Sequence, residues 1–387
     1  SFPTRRSSDL AGRYESEIQS VIRQFRLPEE FPDECIKQAK DVSLGFTAKA
    51  GPREDITSQT VITIDPPDAK DFDDAISLKR EGDHWILGVH IADVSSFIPA
   101  GSPLDTEAAA RGNSTYLPGR TIPMLPEILS NGICSLQPGK KRFAKSVYIK
   151  YNDQAGVVSA RFANSLICSS FRLTYIEADG ILKGSKKAPS PQVKELLKRM
   201  EQLSRLIEKR RYENGMLHLD LPETELVLDE TGQVTDAHPA DDSYPHTIIE
   251  MFMVEANEAA ASLLDRKKTP FLRRTHPEPD KLSMKELAKL VRSLGIEIPK
   301  NPGRKDIQAL LSRIEGNESS YAVNMAVLRS LEKAEYSPLN IGHYALASEK
   351  YCHFTSPIRR YADLLIHRAL GSHIGKGKAA LPDSEQL

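Results

Sequence analysis

The sequence predicts an α+β fold: one large domain with a mixed sheet built by its first half and packed helices by its second. Short apolar runs typical of strands lie within residues 61–91 and 146–165. From residue 193 onward, apolar residues recur with the 3.6-residue spacing of helices. A chain of 387 residues accommodates one large domain together with a flanking segment.

The N-terminal residues are predicted to lie outside this domain. Residues 1–10 fit no periodic element and are interpreted as a non-native scar. Residues 11–54 are predicted to be a connector, helical over 14–40 and ending in a linker that contains Gly and Pro. The domain itself is predicted to span residues 55–375, followed by a truncated tail at 376–387.

The first half of the domain is predicted to consist mainly of strands, because its apolar runs are short and are separated by turn-forming residues. The predicted strands are Val61–Ile64, Ala75–Leu78, His84–Ile91, Ser146–Tyr151 and Val157–Ser165. Residues 101–139 are rich in Pro and Gly and are predicted to form loops.

Helices are predicted to dominate the second half, and the first of them has apolar residues on one face and basic residues on the other. The predicted helices lie near 193–207, 246–265, 282–295, 305–315 and 321–335. A hairpin with a Thr-Gly turn is predicted at Leu226–Asp236. The last helix is predicted to begin at Ser356-Pro357, because Ser is a favourable N-cap and Pro is favoured at the first helical position.

Composition narrows the class of protein. Contents of 40% hydrophobic and 27% charged residues are ordinary for a soluble globular protein, and neither an export signal nor a membrane-spanning apolar run is visible. The net charge of −1 argues against a protein that coats nucleic acid by bulk charge, but it permits a local basic channel. The four cysteines are far apart, which favours a reducing, cytoplasmic setting over a zinc ribbon or a disulfide scaffold.

A cluster of acidic residues between two predicted strands is the first candidate site. Its members are Asp65, Asp71, Asp73 and Asp74, in the stretch IDPPDAKDFDDA. Two carboxylates ~4 Å apart repel by about 1 kcal/mol in water and more within protein, so the cluster calls for a cation. Carboxylate oxygens suit Mg²⁺ or Mn²⁺. The alternative is a solvated Asp-rich turn; a calcium loop of the EF-hand type is disfavoured because its Gly and its bidentate Glu are missing.

A second candidate site follows near the C-terminal end. Arg359 and Arg360 fall in the first turn of the helix predicted to start at Ser356-Pro357. Free N–H groups and partial positive charge make a helix N-terminus a site for phosphate, and guanidinium groups bind phosphate oxygens in a bidentate fork. The alternative is that Arg359 forms an ion pair with Asp363 at i,i+4 spacing.

Taken together, these motifs resemble the catalytic domain of the ribonuclease II / ribonuclease R family, with the ribonuclease R branch the closer match. The resemblance rests on the Asp cluster, on HFTSPIRRYADLLIHR (353–368), on the Tyr-Leu-Pro-Gly stretch within 114–139 and on residues 90–112. The motifs are long, uncommon and in the family's order, and the resemblance extends from about Asp55 to Gly371.

The resemblance implies a hydrolytic, processive exoribonuclease that shortens single-stranded RNA from its 3′ end and releases nucleoside 5′-monophosphates. It implies an active site that uses Mg²⁺ at the bottom of a narrow RNA channel, without an obligatory protein partner. Family members carry OB-type RNA-binding barrels on both sides of this domain. The connector at 11–54 is then the remnant of a region behind one such barrel, and the chain a fragment with weaker RNA affinity.

The resemblance also implies a role for individual residues. Asp65, Asp71 and Asp74 are predicted to bind metal, and Asp73 is predicted to be the most sensitive catalytic residue, although the division among the four stays open. Arg359 is predicted to hold the scissile phosphate. The remaining RNA-binding predictions are Tyr116, which clamps the 3′-terminal nucleotide, together with Tyr175, Glu250 and Arg360.

Two other functions stay open at this stage. One is a catalytically inactive RNA-binding module, against which the complete set of aspartates argues. The other is a metal-dependent phosphatase for small substrates, which would not need the tyrosine platforms for bases. The polar residues His90 and Asp93 are predicted to be satisfied by their neighbours rather than to bind metal.

Overall fold

The fold is described from a computed structural model that covers residues 14–49, 51–229 and 234–374. The predicted scar at 1–10, the predicted tail at 376–387 and the Thr-Gly turn of the predicted hairpin lie outside the described residues. No helix within the described ranges is long and apolar enough to cross a membrane.

The strands are β1 (Glu54–Asp55), β2 (Ile62–Asp65), β3 (Asp74–Glu81), β4 (His84–Ala92), β5 (Thr115–Leu117), β6 (Arg120–Ile122), β7 (Lys141–Tyr151), β8 (Val157–Cys168), β9 (Phe171–Thr174), β10 (Thr224–Leu228), β11 (Val234–Pro239), β12 (Arg273–Thr275) and β13 (Glu335–Ser337). The helices are α1 (Tyr14–Phe25), α2 (Asp33–Gly45), α3 (Pro103–Arg111), α4 (Tyr175–Lys183), α5 (Pro191–Glu213), α6 (Tyr244–Arg266), α7 (Lys281–Ser293), α8 (Arg304–Ile314), α9 (Ser320–Ser330) and α10 (Tyr361–Gly371). A 3₁₀ turn at Val94–Ser96 and a π-helical turn at Ile128–Ile133 complete the elements.

A mixed seven-stranded sheet organises the molecule in the order β1-β8-β7-β4-β3-β2-β9. β1 pairs with β8 and β2 pairs with β9 in parallel, whereas the other neighbours are antiparallel. Strands therefore come first and helices later, and the predicted α+β class with a mixed sheet is confirmed.

Both faces of the sheet are covered, because successive residues of a strand point to opposite sides. Ile62 and Ile76 pack into a core formed with α4, α5, α6 and α10. Their neighbours Val61 and Ala75 pack into a second core with α2, α3 and the π-helical turn. α7, α8 and α9 enclose a smaller core of their own. The end of the sheet where β2 stops and β3 starts is thus held from two sides.

Several predicted boundaries were wrong, for local physical reasons. The helix predicted at 14–40 is interrupted between α1 and α2, where Pro28 and Pro32 remove backbone donors and Arg26 has a positive φ of 51°. The predicted loop at 101–139 contains α3, whose N-cap Ser102 accepts a hydrogen bond from the N–H of Asp105 and is followed by Pro103.

The segments β9 and α4 were not predicted, and α9 ends at Ser330, before residue 335. β9 joins the sheet in parallel next to β2, so its place depends on partners distant in sequence. Residues 335–337 are held as strand β13 by pairing with β12. Both corrections reflect tertiary partners that no local pattern reveals.

The last helix begins at Tyr361 rather than at Ser356-Pro357. Ser356 and the residues after it form a turn in which the N–H of Arg360 donates to the carbonyl oxygen of Ser356 at 3.0 Å. The buried carboxylate of Asp363 accepts the N–H of Ser356 at 2.7 Å and holds this turn in front of the helix. The arginines therefore precede the first helical turn, and Arg360 is its N-cap in an extended conformation.

A buried ion-pair network joins α5, α6 and the sheet. Glu255, 3% exposed, accepts hydrogen bonds from the guanidinium group of Arg211 at 2.7 Å and from the hydroxyl of Tyr151 at 3.0 Å. Arg210 donates to the same carboxylate at 2.5 Å. Loss of this carboxylate would leave two guanidinium groups without their shared partner.

We expect Glu255→Ala to lower the free energy of unfolding by about 3–5 kcal/mol, because it removes the buried anion that Arg210, Arg211 and Tyr151 share, although Arg211 keeps its ion pair with Glu258. The measurement is equilibrium denaturation in urea. The control is Glu195→Ala, which removes an exposed i,i+4 ion pair with Arg199 and should cost about 0–1 kcal/mol. Equal effects of the two substitutions would contradict the prediction.

Candidate active site

The four aspartates meet at one end of the sheet. Asp65 is the last residue of β2, Asp74 is the first residue of β3, and these two strands are antiparallel neighbours. Asp71 and Asp73 lie in the loop that joins them. The predicted arrangement, an acidic loop held between two strand ends, is therefore present in the structure.

Polar contacts fix the loop between β2 and β3. The guanidinium group of Arg172, on β9, donates to the carbonyl oxygens of Pro66 and Pro67 at 2.5 and 2.8 Å. The hydroxyl of Ser135 accepts the N–H of Phe72 at 3.1 Å and donates to the carbonyl oxygen of Lys70 at 2.7 Å. A loop held at both ends and along its length keeps its carboxylates in place.

The electrostatics of the cluster favour protonation or a cation. Burial, followed by the neighbouring charges of Asp74 and Asp71, raises the pKa of Asp65 well above its usual value. Burial raises the pKa of Asp74 to about 6, although Arg359 acts in the opposite direction. Among the described residues, the Oδ2 atoms of Asp65 and Asp74 are buried and have no hydrogen-bond partner.

These two orphaned oxygens fit a hard divalent cation. In the described ranges, no three His, Cys, Asp or Glu side chains converge as a complete set of metal ligands. Mg²⁺ does not require such a set, because it is usually held by one or two carboxylates together with water and substrate phosphate oxygens. The donor set of the cluster is compatible with Mg²⁺ or Mn²⁺ bound together with a phosphorylated substrate.

Asp73 connects the acidic loop to residues 356–360, which carry Arg359 and Arg360 and are called the arginine segment. Its Oδ1 atom accepts the backbone N–H of Ile358 at 3.0 Å, and its side chain is buried. Burial raises the pKa of Asp73 well above its usual value, whereas the Ile358 N–H and the Arg359 charge lower it. The carboxylate and the guanidinium group of Arg359 are thus close enough to influence each other.

Arg359 is exposed and lies beside the aspartates. Its guanidinium group donates to the hydroxyl of Ser356 at 3.3 Å, and it forms no ion pair with a carboxylate in the described part of the chain. The alternative pairing with Asp363 is wrong, since the partner of Asp363 is Arg360, at 2.7 Å. Arg359 therefore has no direct ion-pair partner in the described part of the chain, although its charge acts on the nearby Asp73 and Asp74, whereas Arg360 is paired with Asp363.

Tyr116 lies on β5 and joins the same site. The N–H of Ser114 donates to the carbonyl oxygen of Arg359 at 2.9 Å, which ties this strand to the arginine segment. The hydroxyl of Tyr116 donates to Oδ2 of Asp71 at 3.4 Å, and the side chain is 54% exposed. Partial burial and the charge of Asp71 raise the pKa of Tyr116 to about 12. The ring is free to contact a ligand while its hydroxyl is anchored.

Tyr175 is the first residue of α4 and directly follows β9. Its neighbour Thr174 is in register with Asp65 across the β2–β9 pair and caps α4 through a capping box with Glu177. Burial, then the charges of Asp74 and Asp65, raise the pKa of Tyr175. One face of its ring stacks on His246 at 3.6 Å between centroids and 15° between planes.

His246 was missed by sequence reasoning, because no motif marks it and its stacking partner is distant in sequence. Glu250 lies one helical turn beyond His246 on α6 and is exposed. Partial desolvation of its carboxyl group, which lies against the protein surface, and the nearby Glu208 raise the pKa of Glu250. No described contact joins Glu250 to the aspartates.

The expectation that His90 and Asp93 are satisfied by neighbours is confirmed. The ring of His90 is hydrogen-bonded to the hydroxyls of Ser77 and Ser146 at 2.9 and 2.7 Å. Asp93 forms ion pairs with Arg53 and with a buried lysine of β7. Neither residue is available for a ligand.

Comparison with known proteins identifies the family. A family model described as RNB domain matches residues 53–376. The chain belongs to the RNB domain family. Ribonuclease R of Thermotoga maritima is 39% identical over 379 residues, which are 95% of this RNB chain and 53% of that protein. Ribonuclease R of Aquifex aeolicus is 37% identical over 360 residues, 91% of this chain and 51% of that protein.

Solved structures agree with the RNB assignment. RNase R of Mycoplasma genitalium in complex with double-stranded RNA matches with a TM-score of 0.90 and 33% identity, over 94% of this chain and 65% of that one. Yeast Ssd1, described as a pseudonuclease, matches with a TM-score of 0.76 and 23% identity, which shows the fold alone. The resemblance to the ribonuclease II / ribonuclease R family is confirmed. The chain spans about half the length of the curated relatives it matches.

The raised pKa of Asp74 in this RNB domain predicts how metal removal affects stability. The pKa of Asp74 is 3.8 in an unfolded chain and about 6 in the folded protein. At pH values between these two, Asp74 binds more protons in the folded protein than in the unfolded chain. The contribution of Asp74 to stability therefore falls as pH rises through this window, and it is lowest above it. We expect Asp74→Asn to raise the Tm in EDTA at about pH 7.5 and to have a smaller effect at about pH 5.

The same variant separates a metal-linked carboxylate from a merely buried one. We expect Mg²⁺ to raise the Tm of the unsubstituted chain near neutral pH and to have little effect on Asp74→Asn. Thermal unfolding with Mg²⁺ and with EDTA is the measurement, and Asp68→Asn, an exposed position in the same loop, is the control. An undiminished Mg²⁺ effect in Asp74→Asn would exclude Asp74 as a ligand.

Proposed function

We propose that the chain is the catalytic domain of a processive 3′→5′ exoribonuclease. It hydrolyses single-stranded RNA to nucleoside 5′-monophosphates and depends on Mg²⁺, with Mn²⁺ as a substitute. The observation that supports this most directly is the presence of four carboxylates, of Arg359 without a direct ion pair and of the exposed ring of Tyr116 at one end of the sheet. The relatives named ribonuclease R add support for RNA as the substrate.

The proposed site holds the metal through Asp65, Asp71 and Asp74. The unpartnered oxygens of Asp65 and Asp74 support this assignment. When bound, the cation would polarise the phosphoryl group and lower the pKa of the attacking water. The remaining chemistry belongs to side chains of the protein.

Asp73 is assigned the attacking water in this proposal. Its raised pKa makes it a better proton acceptor than an ordinary surface carboxylate, and its bond to the Ile358 N–H fixes the direction of its free oxygen. Arg359 is assigned the scissile phosphate, where its charge offsets the negative charge that develops on the phosphoryl oxygens. Hydrolysis then leaves the phosphate on the released nucleotide and a 3′-hydroxyl on the shortened RNA.

The RNA-binding residues are proposed as follows. Tyr116 stacks under the 3′-terminal base, a contact that is worth about 1–3 kcal/mol and tolerates every base. Tyr175 offers the base the ring face that His246 leaves free. Glu250, one helical turn beyond His246, is proposed to set the position of the 3′ end of the RNA. Arg360 is proposed to contribute to RNA binding through its positive charge near the phosphate. Its ion pair with Asp363 orders the arginine segment.

Binding to RNA draws support from two solved complexes. RNase R of Mycoplasma genitalium has been determined with ribose methylated single-stranded RNA and with double-stranded RNA. The location of this chain is proposed to be cytoplasmic, in line with its four free cysteines, and it is proposed to act without an obligatory protein partner.

A single assay tests the proposed function. A 5′-labelled single-stranded RNA is incubated with the chain in Mg²⁺ or in EDTA. Shortening from the 3′ end to a short limit product, in Mg²⁺ only, is expected. RNA that binds the protein but stays intact would point to an inactive binding module. Release of phosphate from a small phosphomonoester, with RNA untouched, would point to a phosphatase.

A further inference from the structure

A surface that carries one further arginine, Arg274, lies near Arg359. Arg274 is the central residue of β12 and is in register with Tyr336 on β13. Its guanidinium group lies over the ring of Tyr336, 5.0 Å from the centroid. The hydroxyl of Tyr336 is hydrogen-bonded to Nδ1 of His353 at 2.7 Å. We call Arg274, Tyr336 and His353 the β12–β13 rim.

The rim is rigid, because its backbone is fixed from behind. The N–H of Arg274 donates to the carbonyl oxygen of Tyr351 at 3.1 Å. Asn257 accepts the N–H of Phe354 at 2.7 Å and donates to the hydroxyl of Tyr351 at 3.0 Å. The segment that carries His353 is therefore anchored on both sides, which orients Tyr336.

Positive charge converges on the rim. Burial, followed by the charges of Arg360, Arg274 and Arg359, lowers the pKa of His353 to about 2, so this ring is neutral. Burial and the charge of Asp363 raise the pKa of the Tyr336 hydroxyl, and the same three arginines act in the opposite direction. Arg360 is compensated by Asp363. In the described part of the chain, neither Arg274 nor Arg359 forms an ion pair, and Arg274 forms no side-chain hydrogen bond.

The neighbouring Arg273, by contrast, is paired with a carboxylate. The guanidinium group of Arg273 pairs with Asp265 at 2.7 Å and lies over the ring of Phe271 at 4.1 Å. Arg274 has an aromatic partner but no anion. The five N–H donors of the Arg274 guanidinium group remain available. Tyr336, whose ring supports this group, is 41% exposed.

We propose that Arg274 binds a second phosphate of the RNA strand, adjacent to the scissile phosphate held by Arg359. Tyr336 and His353 hold the guanidinium group of Arg274 in position. This proposal rests on the proposed function. An anion on the rim would satisfy the free guanidinium fork, and a polyanion with regularly spaced phosphates would occupy Arg359 and Arg274 together. The rim thereby favours a polymer over a mononucleotide.

The structural alternative is that Arg274 serves only as a cation–π partner of Tyr336, a contact worth about 0.5–2 kcal/mol in stability. The alternatives differ in what they predict for salt. A phosphate contact contributes to the salt dependence of RNA binding, whereas an internal cation–π contact does not.

Binding is measured first, with the full chain in EDTA and a labelled single-stranded RNA of about 20 nucleotides, longer than one binding site. We expect Arg274→Gln to weaken binding about tenfold, the size of one lost charged hydrogen bond, and to reduce the slope of log K against log salt by about 0.7. Arg274→Lys keeps the charge, so it should keep the slope and lose less affinity. Arg199→Gln, an exposed arginine already paired with Glu195, is the control and should match the unsubstituted chain.

A phosphate scan then locates the contact. One linkage at a time near the 3′ end of the RNA is replaced by a neutral methylphosphonate. We expect the penalty of Arg274→Gln to disappear when one particular linkage, next to the scissile one, is neutral. Thermal unfolding establishes whether each variant is folded. If Arg274→Gln is unfolded, the scan is done with Arg274→Lys.

The proposal is overturned if the slope of Arg274→Gln equals that of Arg199→Gln, or if its penalty is the same for every neutral linkage. It is also overturned if Arg274→Lys behaves like Arg274→Gln, since the charge would then be irrelevant. Failure of the proposed function looks different, because the unsubstituted chain itself would then neither bind nor shorten the RNA.

Discussion

Asp73→Asn is expected to reduce kcat for RNA hydrolysis by about 10²–10⁴-fold, which abolishes activity in an ordinary assay. Asparagine keeps an oxygen that can accept the N–H of Ile358, so the contact at 3.0 Å can survive the substitution. What is lost is the negative charge and the ability to take up a proton. RNA affinity in EDTA should change little, because the substitution removes no group that contacts a base or a phosphate.

The measurement is single-turnover cleavage of a 5′-labelled RNA together with a binding assay in EDTA. Asp68→Asn is the matched control, since it makes the same chemical change at an exposed position of the same loop. Hydrolysis by Asp73→Asn at nearly the rate of the control would remove Asp73 from the catalytic machinery. A parallel loss of RNA binding and hydrolysis would assign Asp73 a structural role instead.

Arg359→Lys is expected to lower kcat by about 10²–10³-fold, although the charge is retained. The ammonium group of lysine is a point donor and cannot offer two parallel N–H groups to phosphoryl oxygens. The defect should appear mainly in kcat, because the guanidinium group is proposed to bind most strongly where charge develops on the phosphate.

Steady-state kinetics with a defined RNA separate kcat from KM for this variant. The control is Arg199→Lys, the same change at an exposed arginine on α5. A rise in KM alone would mean that Arg359 contributes only to RNA affinity. Unchanged kcat and KM would refute its assignment to the scissile phosphate.

The acidic part of the site could be predicted because its information is local. The aspartates lie within one short loop, and the apolar runs on both sides identify the strand ends that hold it. Like charges at this density favour a nearby cation or protonation of a carboxylate. The structure adds what a sequence cannot contain, namely that Oδ2 of Asp65 and Oδ2 of Asp74 are buried and have no hydrogen-bond partner among the described residues.

The arginine segment was predicted less well, because its conformation depends on a contact. Ser356 and Pro357 have the residue types of a helix start, yet the carboxylate of Asp363 captures the Ser356 N–H and holds a turn there. The same carboxylate takes Arg360 as its partner rather than Arg359. Arg359 is therefore available to a ligand, whereas Arg360 is paired. The i,i+4 spacing predicts the opposite, with Arg359 as the partner of Asp363.

The stack of Tyr175 on His246 illustrates a third limit. Tyr175 follows β9, whose place beside β2 was not predicted, and His246 lies in the first turn of α6, some seventy residues later in the printed sequence. Neither residue carries a local signal for this contact. Only the parallel pairing of β9 with β2 brings the ring towards the aspartates.

The hydrogen bond between Asp73 and Ile358 joins residues 285 positions apart. Contacts of such long range form late in folding, because closing a large loop costs chain entropy before the contact can repay it. An intermediate with a complete sheet but an undocked C-terminal segment would carry all four carboxylates and yet lack the guanidinium group beside them. The two halves of the chemistry are thereby kept apart until the chain has nearly finished folding, so a partly folded molecule is not expected to cut RNA indiscriminately.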